Sequence, residues 1–155
     1  SRLVEHLLAN AAVAMPEGGV LITRCGIIDS DEVRQLRGEL GNTEQKHLLI
    51  EVIDTGQGMD PITLERAFDP YFTTRRNDNA TGIGLTVCES IAKAHDGFVA
   101  LQSKEDRGTI ATFCMPLTAP FKVTERPGLN LKGEAVTIFF KKKNTSHHST
   151  RRRHY

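Results

Sequence analysis

Asp54-Thr55-Gly56-Gln57-Gly58-Met59-Asp60 follows directly on the apolar run His47-Leu48-Leu49-Ile50-Glu51-Val52-Ile53. The apolar run reads as a strand, and the acid with its two alternate glycines reads as the loop at that strand's end. A strand ending this way puts one carboxylate at the floor of a cleft and strips side chains from the loop above it. A flat ligand can then lie close to backbone. An ionised carboxylate only accepts hydrogen bonds, which suits an exocyclic amine such as that of adenine. Taken alone, the same pattern also describes an ordinary hairpin turn. The flanking segments decide between the two.

Upstream, Leu3, Val4, Leu7, Leu8, Ala11 and Ala14 recur at helical spacing through Ser1 to Met15, and Pro16-Glu17-Gly18-Gly19 ends the run. His6 and Asn10 stand four residues apart on one face of that helix. A polar pair on a core-facing helix is costly unless satisfied, so it either serves local structure or points into a ligand site. Val20 to Ile28 is rich in β-branched residues and reads as a strand, with Lys46 to Ile53 as its antiparallel partner. Between them, Asp29 to Gln45 is polar; Asp29-x-x-Glu32 forms a capping box for a short helix through Leu36, and the segment reads as a surface excursion without chemistry.

Downstream, Asp60-Pro61 opens a helix through Ala67, with proline at a favoured first-turn position. Phe68-Asp69-Pro70-Tyr71-Phe72-Thr73-Thr74-Arg75-Arg76 is aromatic and then basic. Arg75 to Thr81 has almost nothing apolar to bury, the pattern of a mobile lid. Gly82-Ile83-Gly84 opens a helix from Leu85 to Ala94, whose exposed first amides and positive dipole end suit a phosphate. His95-Asp96-Gly97 stops it. Phe98 to Ser103 and Thr109 to Pro116 then read as two closing strands.

At 155 residues, the chain has the length and composition of one soluble globular domain. Its net charge of +1 hides an uneven split: residues 1–120 hold 11 Lys/Arg against 17 Asp/Glu, and residues 121–155 hold 9 against 2. Cys25, Cys88 and Cys114 are odd in number, far apart and set in apolar segments. That usage points to reduced core thiols in a reducing compartment, not to a disulfide or zinc framework. No apolar run approaches the roughly 20 residues needed to span a bilayer, and the first residues do not form a signal peptide. A cytosolic location is expected, either free or as the cytosolic part of a membrane-bound sensor.

Asn10, Asp54-Thr55-Gly56-Gln57-Gly58, Phe68-Asp69-Pro70-Tyr71-Phe72-Thr73-Thr74, Thr81-Gly82-Ile83-Gly84-Leu85 and Gly108-Thr109 come in the order and spacing of five boxes. These are the N, G1, F, G2 and G3 boxes, and the chain resembles the ATP-binding domain of sensor histidine kinases over nearly all of Leu3 to Pro116. The resemblance implies an α/β (α+β) two-layer sandwich of the Bergerat type, shared by gyrase, heat-shock chaperone, histidine kinase and mismatch-repair ATPases. Its sheet is mixed, helices cover one face, and the nucleotide lies between helices and lid. The resemblance also implies the site. Asp54 would bind the adenine amine with Thr109 sharing a bridging water, while Gly56 and Gly58 let the loop close over the base. Met59, Phe72, Thr74, Thr81 and Ile83 would line the nucleotide, and Gly82, Gly84 and Leu85 would offer amides to its phosphates. Asn10 would give a side-chain oxygen to Mg²⁺, and Arg75, where the family often has lysine, would reach the phosphates from the lid. His6, Asn10 and Arg75 are the catalytic candidates of an ATP-dependent phosphoryl transfer to histidine.

The departures are specific. His6 stands where many relatives have a first asparagine, Val13 where an acid is common, and Ala80 where the glycine-rich box usually starts with glycine. The chain begins inside the first box, so the elements preceding it in the family would be missing. No acceptor box is present, since His95-Asp96 falls at the end of a helix, and the chain is expected not to autophosphorylate alone. The expected partners are a histidine-bearing dimerisation domain and a response-regulator receiver domain.

The organisation expected is an ATPase domain over residues 1–118, a linker over 119–133, and a tail over 134–155. Glu134 to Phe140 resembles the lead into the first strand of a receiver domain, as in a hybrid kinase. Lys141-Lys142-Lys143 then stands where the receiver's acidic pair should be, which favours a frame change or an artificial end. No specific nucleic-acid partner is expected, and the basic run reads as a solvated, disordered tail. Two other functions remain open: a stand-alone serine kinase of the anti-sigma type, and a non-catalytic nucleotide-binding regulatory module. A water-activating ATPase fits less well, because a glutamate should stand four residues before Asn10, where His6 is.

Overall fold

The strand that ends in Asp54 lies at the centre of the sheet. A computed structural model describes residues 2–37, 45–74, 81–117 and 134–141. Its elements in chain order are α1 (Arg2–Val13), β1 (Gly18–Ile28), α2 (Ser30–Arg37), β2 (His47–Asp54), α3 (Pro61–Glu65), α4 (Gly84–Ala94), β3 (Phe98–Lys104), β4 (Gly108–Pro116) and β5 (Glu134–Lys141). The five strands form one sheet in the order β3-β4-β2-β1-β5.

Every pairing among these strands is antiparallel, where a mixed sheet was expected. The reason is connectivity. β1 and β2 pair as anticipated; the connection from β2 through α3 and α4 crosses to β3, two places away and parallel to β2, and the tight turn between Lys104 and Gly108 folds β4 back into the gap, so every hydrogen-bonded neighbour is antiparallel. Residues 134–141, which include the segment that resembles the lead strand of a receiver domain, form the edge strand of this same sheet, with Gly18 opposite Lys141 and Cys25 opposite Glu134.

Side chains alternate across a strand, so Ile50, Val52 and Asp54 share one face of β2. Opposite partners carry that face onto the neighbouring strands through Leu21, Thr109, Ala111, Phe113, Leu101 and Ser103. Helices α1 and α4 pack on this face. Leu3, Leu7 and Ala11 of α1 and Cys88 and Ala92 of α4 bury against Leu21, Val52, Ala111 and Phe113 to form the core. Leu3 and Leu7 are each 2 % exposed, and burial of such a side chain stabilises by about 1.5–3 kcal/mol. This is the expected two-layer sandwich.

α2 does not join that layer. Its last residue, Arg37, lies over the ring of Phe98 at 4.9 Å, on the opposite face of the sheet from Val99 and Leu101. The capping box reads as anticipated: the Asp29 N–H donates to Oε2 of Glu32 at 3.1 Å, and the Glu32 N–H donates to Oδ1 of Asp29 at 3.1 Å. α3 is shorter than expected, ending at Glu65. Asp60 caps it, accepting from the Thr63 N–H and hydroxyl at 2.9 and 2.8 Å. The Thr63 N–H, followed by its hydroxyl, holds the Asp60 carboxyl below the usual range. His95 is the C-cap of α4, followed by Asp96 at φ 55° and a Gly97 N–H that donates to the Ala92 carbonyl at 2.8 Å. That geometry is a helix stop, as the sequence suggested. Among the described residues no helix is long and apolar enough to cross a membrane.

Candidate functional site

The apolar face of the sheet ends in a polar row. Asp54 stands opposite Thr109 on β4, and Thr109 stands opposite Ser103 on β3, so three polar side chains point the same way beyond the core. Asp54 is 6 % exposed. Its Oδ1 accepts the Gly56 N–H at 2.8 Å, and an ionised carboxylate has further lone pairs to offer a ligand donor.

The loop above this row is held by backbone. The Gln57 N–H donates to the Ala14 carbonyl at 3.1 Å and the Asp106 N–H to the Gln57 carbonyl at 2.8 Å, so the loop is fastened to the end of α1 and to the β3–β4 turn. Gly58 sits at φ 63°, and a Cβ there would run into the carbonyl of Lys104. A Cβ on Gly56 would stand 2.8 Å from both the Ala14 Cβ and Oδ1 of Asp54. Both glycines are therefore required by close approach, not merely permitted. Met59 donates its N–H to Oγ of Ser103 at 2.9 Å.

A second group of residues gathers at the start of α4. Ile83 is its N-cap and supplies no side-chain hydrogen bond, so no side chain of the cap competes for the first-turn amides. A Cβ built on Gly84 would lie 3.5 Å from Nδ1 of His6 and 3.8 Å from Oδ1 of Asn10. The polar pair on α1 thus faces the open, positive end of α4. Gly82, at φ 67°, donates no side chain to this corner; its carbonyl accepts the Tyr71 N–H at 3.0 Å, and a Cβ would meet Tyr71 and Phe72 backbone at 2.6–2.9 Å. The ring of Phe72 is half-buried under the Arg66 guanidinium, 4.3 Å away, and Arg66 also pairs with Asp69 at 3.2 Å. Thr86 fastens α4 to this segment, its hydroxyl donating to the Phe68 carbonyl at 3.2 Å.

Helix α1 joins the two groups. Asn10 faces α4 and Ala14, one turn later and about 6 Å along the axis, receives the glycine loop. Of the residues expected at the site, Asp54, Gly56, Gly58, Met59 and Thr109 form one end, and His6, Asn10, Gly82, Ile83, Gly84 and Leu85 form the other. Phe72 borders the second end, while Leu85 also packs on the core. Thr74 and Thr81 are exposed at the two ends of the interval between the described segments. Arg75 and Ala80 lie outside the described residues. Ser103 was not anticipated; its signal was its place opposite Thr109 across a three-residue hairpin connection.

No group of three or more His, Cys, Asp or Glu side chains suited to a metal occurs among the described residues. Asn10 is an exposed oxygen donor beside the helix end, a donor type that suits Mg²⁺ when phosphate oxygens and water complete the shell.

The profile of the family described as histidine kinase-, DNA gyrase B-, and HSP90-like ATPase matches residues 1–119. Sensor kinase CckA of Brucella abortus is 34% identical over 111 residues, covering 72% of this chain and 12% of that protein. Sporulation kinase D of Bacillus subtilis is 29% identical over 118 residues, covering 76% of this chain and 20% of that protein. This chain therefore spans a fifth or less of the length of those two relatives. Among solved structures, the mycobacterial sensor histidine kinase MprB superposes with a TM-score of 0.50 at 24% identity, over 74% of this chain and 68% of that one. Full-length ShkA, solved in complex with AMPPNP, gives 0.53 at 21% identity, over 78% of this chain and 22% of that one. The chain belongs to the histidine kinase-, DNA gyrase B-, and HSP90-like ATPase family, and its body is the ATP-binding domain in the form that sensor histidine kinases carry.

Proposed function

We propose that this domain binds Mg²⁺-ATP and transfers the γ-phosphoryl group to a histidine on a dimerisation domain, from which a receiver domain takes it. The observation that carries this reading is the pairing of an acceptor-rich floor, Asp54 and Thr109, with an open helix end faced by Asn10. The first suits a base with an exocyclic amine, and the second suits a polyphosphate. The sensor-kinase relatives, and AMPPNP in ShkA, favour the same assignment.

Each residue then has a physical task. Asp54 accepts the adenine amine, with Thr109 beside it; Gly56, Gly58 and Met59 carry backbone over the base. Gly82, Ile83, Gly84 and Leu85 direct amides at the phosphates, with Phe72, Thr74 and Thr81 bordering them. Asn10 offers its oxygen to Mg²⁺, which would neutralise charge on the β- and γ-phosphates. His6 lies next to the same helix end and Arg75 follows Thr74, so both are candidates to contact the transferring group. Positioning and charge neutralisation supply most of the catalysis in such transfers.

The test is calorimetric titration of Mg²⁺-ATP and Mg²⁺-ADP into the wild-type chain and an Asp54→Asn variant, followed by transfer from γ-labelled ATP to a supplied histidine-bearing dimerisation domain. Losing one charge-assisted hydrogen bond should weaken ATP binding by roughly 10- to 100-fold. Equal binding by both proteins would refute the adenine site. Binding without label transfer would leave a nucleotide-sensing module in place of the kinase.

A further inference from the structure

Ser103 sits where two parts of the site meet. Its Oγ accepts the Met59 N–H at 2.9 Å, lies 3.1 Å from the Gly108 carbonyl, and lies 2.8 Å from Oγ1 of Thr109. A serine hydroxyl has one proton and two lone pairs. The Gly108 carbonyl can only accept, so that contact consumes the Ser103 proton. The Met59 N–H can only donate, so it takes one lone pair. The remaining lone pair faces Thr109, and all three contacts are made at once only if the Thr109 hydroxyl donates to Ser103.

This fixes the polarity of Thr109. With its proton turned toward Ser103, Oγ1 presents only lone pairs to the cleft. Asp54, its opposite neighbour, is likewise an acceptor when ionised. The row therefore shows a ligand two acceptors side by side. Adenine carries an amine donor at the position where guanine carries a carbonyl acceptor. A guanine there would set its oxygen against two acceptors, and a freely rotating Thr109 hydroxyl could relieve half of that mismatch by donating.

We infer that Ser103 is a specificity-determining positioning residue, which locks the Thr109 hydroxyl as an acceptor and thereby favours an amino-purine over an oxo-purine nucleotide. The inference rests on the adenine-site reading above. Ser103 touches no ligand in this scheme, and it acts through Thr109 and through the Met59 end of the glycine loop.

The experiment is a double-mutant cycle on the full chain, reading the ratio of Mg²⁺-ATP to Mg²⁺-GTP affinity by calorimetry. Ser103→Ala should lower that ratio roughly three- to tenfold, the span of one neutral hydrogen bond. In a Thr109→Val background, which has no hydroxyl to orient, the same change should leave the ratio where Thr109→Val alone puts it. Ser103→Thr keeps a hydroxyl and should keep the wild-type ratio. If the alanine variant does not fold, Ser103→Cys, whose thiol is a weak donor and acceptor, carries the same expectation. An unchanged ratio in Ser103→Ala, or an equal fall in both backgrounds, would overturn the inference while leaving the adenine site intact. Failure of the folded wild-type chain to bind ATP would overturn the adenine site itself, and the inference with it.

Discussion

Asn10 on α1 faces Gly84, the first residue of α4, closely enough that a Cβ on Gly84 would lie 3.8 Å from the Asn10 Oδ1 and 3.9 Å from its Nδ2. One helix thus offers a side-chain oxygen at the spot where the next helix offers unpaired amides. Under the proposed function, the two would suit a metal-bound phosphate. Replacing Asn10 should act on function and hardly on folding, because its side chain is exposed and alanine is the better helix former. Asn10→Ala is expected to leave stability within about 0.5 kcal/mol. It should weaken ATP binding by roughly tenfold in Mg²⁺ and much less in EDTA. Titrations with and without the metal check this, and an equal loss in both would remove Asn10 from the metal.

Gly108 makes the opposite case. It sits at φ 99°, and a Cβ there would run into the carbonyl of Asp54. Strain of this kind costs on the order of 1–3 kcal/mol before any clash is counted. The clash falls on the backbone that aims the Asp54 carboxylate, so Gly108→Ala should lose both stability and nucleotide affinity. A urea titration is expected to show a lower midpoint with an unchanged slope; a midpoint within experimental error of wild type would show that the β2–β4 contact yields freely.

The thiols give the chain an alkaline limit. Burial pushes Cys88 and Cys114 up to about 11 from 9.0, with Arg37 drawing Cys114 slightly back. Between about pH 9 and 11 the unfolded chain has released thiol protons that the native chain retains. The unfolded state then binds fewer protons, so stability falls as pH rises. The contribution is fully present below pH 9 and disappears as pH passes through the native values. Denaturation midpoints at pH 8 and 10 should differ in that direction, and replacing Cys88 and Cys114 together by alanine should flatten the slope. In the native state at pH 8 a thiol reagent should label Cys25, which is exposed, well before the other two.

The chain announces its site more fully than its sheet. Asp54, Gly56 and Gly58 are legible because their chemistry is local: a strand end, an acid and close backbone approach all fall within five residues. The same holds for Asp29 and Glu32, whose capping box is a four-residue device. His6 and Asn10 were visible as an oddity, two polar residues on a core-facing helix, although what they face lies some 75 residues on. Strand partners carry no such mark. Residues 134–140 read as a strand, but nothing in their sequence says that β1 is their partner or that every pairing is antiparallel. Ser103 escaped for the same reason, since a serine in a strand acquires meaning only from Thr109 opposite and Met59 above it. Arg75 and Ala80, which the sequence reading assigns to a lid, lie outside the described residues.

Gly84 separates stability from function in a single methyl group. Its Cβ would meet His6 and Asn10 at 3.5–3.9 Å, ordinary contact distances, and its backbone lies outside the left-handed region. Alanine therefore fits the folded chain. It also restricts the unfolded chain and favours the helix, which together stabilise by about 0.4–1 kcal/mol. Yet the methyl would stand between Asn10 and the helix end, in the volume where a phosphate and its metal would lie. Gly84→Ala is accordingly expected to unfold at equal or higher temperature while binding Mg²⁺-ATP at least tenfold more weakly. Adenosine, which has no phosphate to displace, should bind it as it binds wild type. Calorimetric melting and the two titrations check all three statements. Lost adenosine binding would mean that the helix had shifted toward the Asp54 end, and undiminished ATP binding would show that the phosphates pass elsewhere.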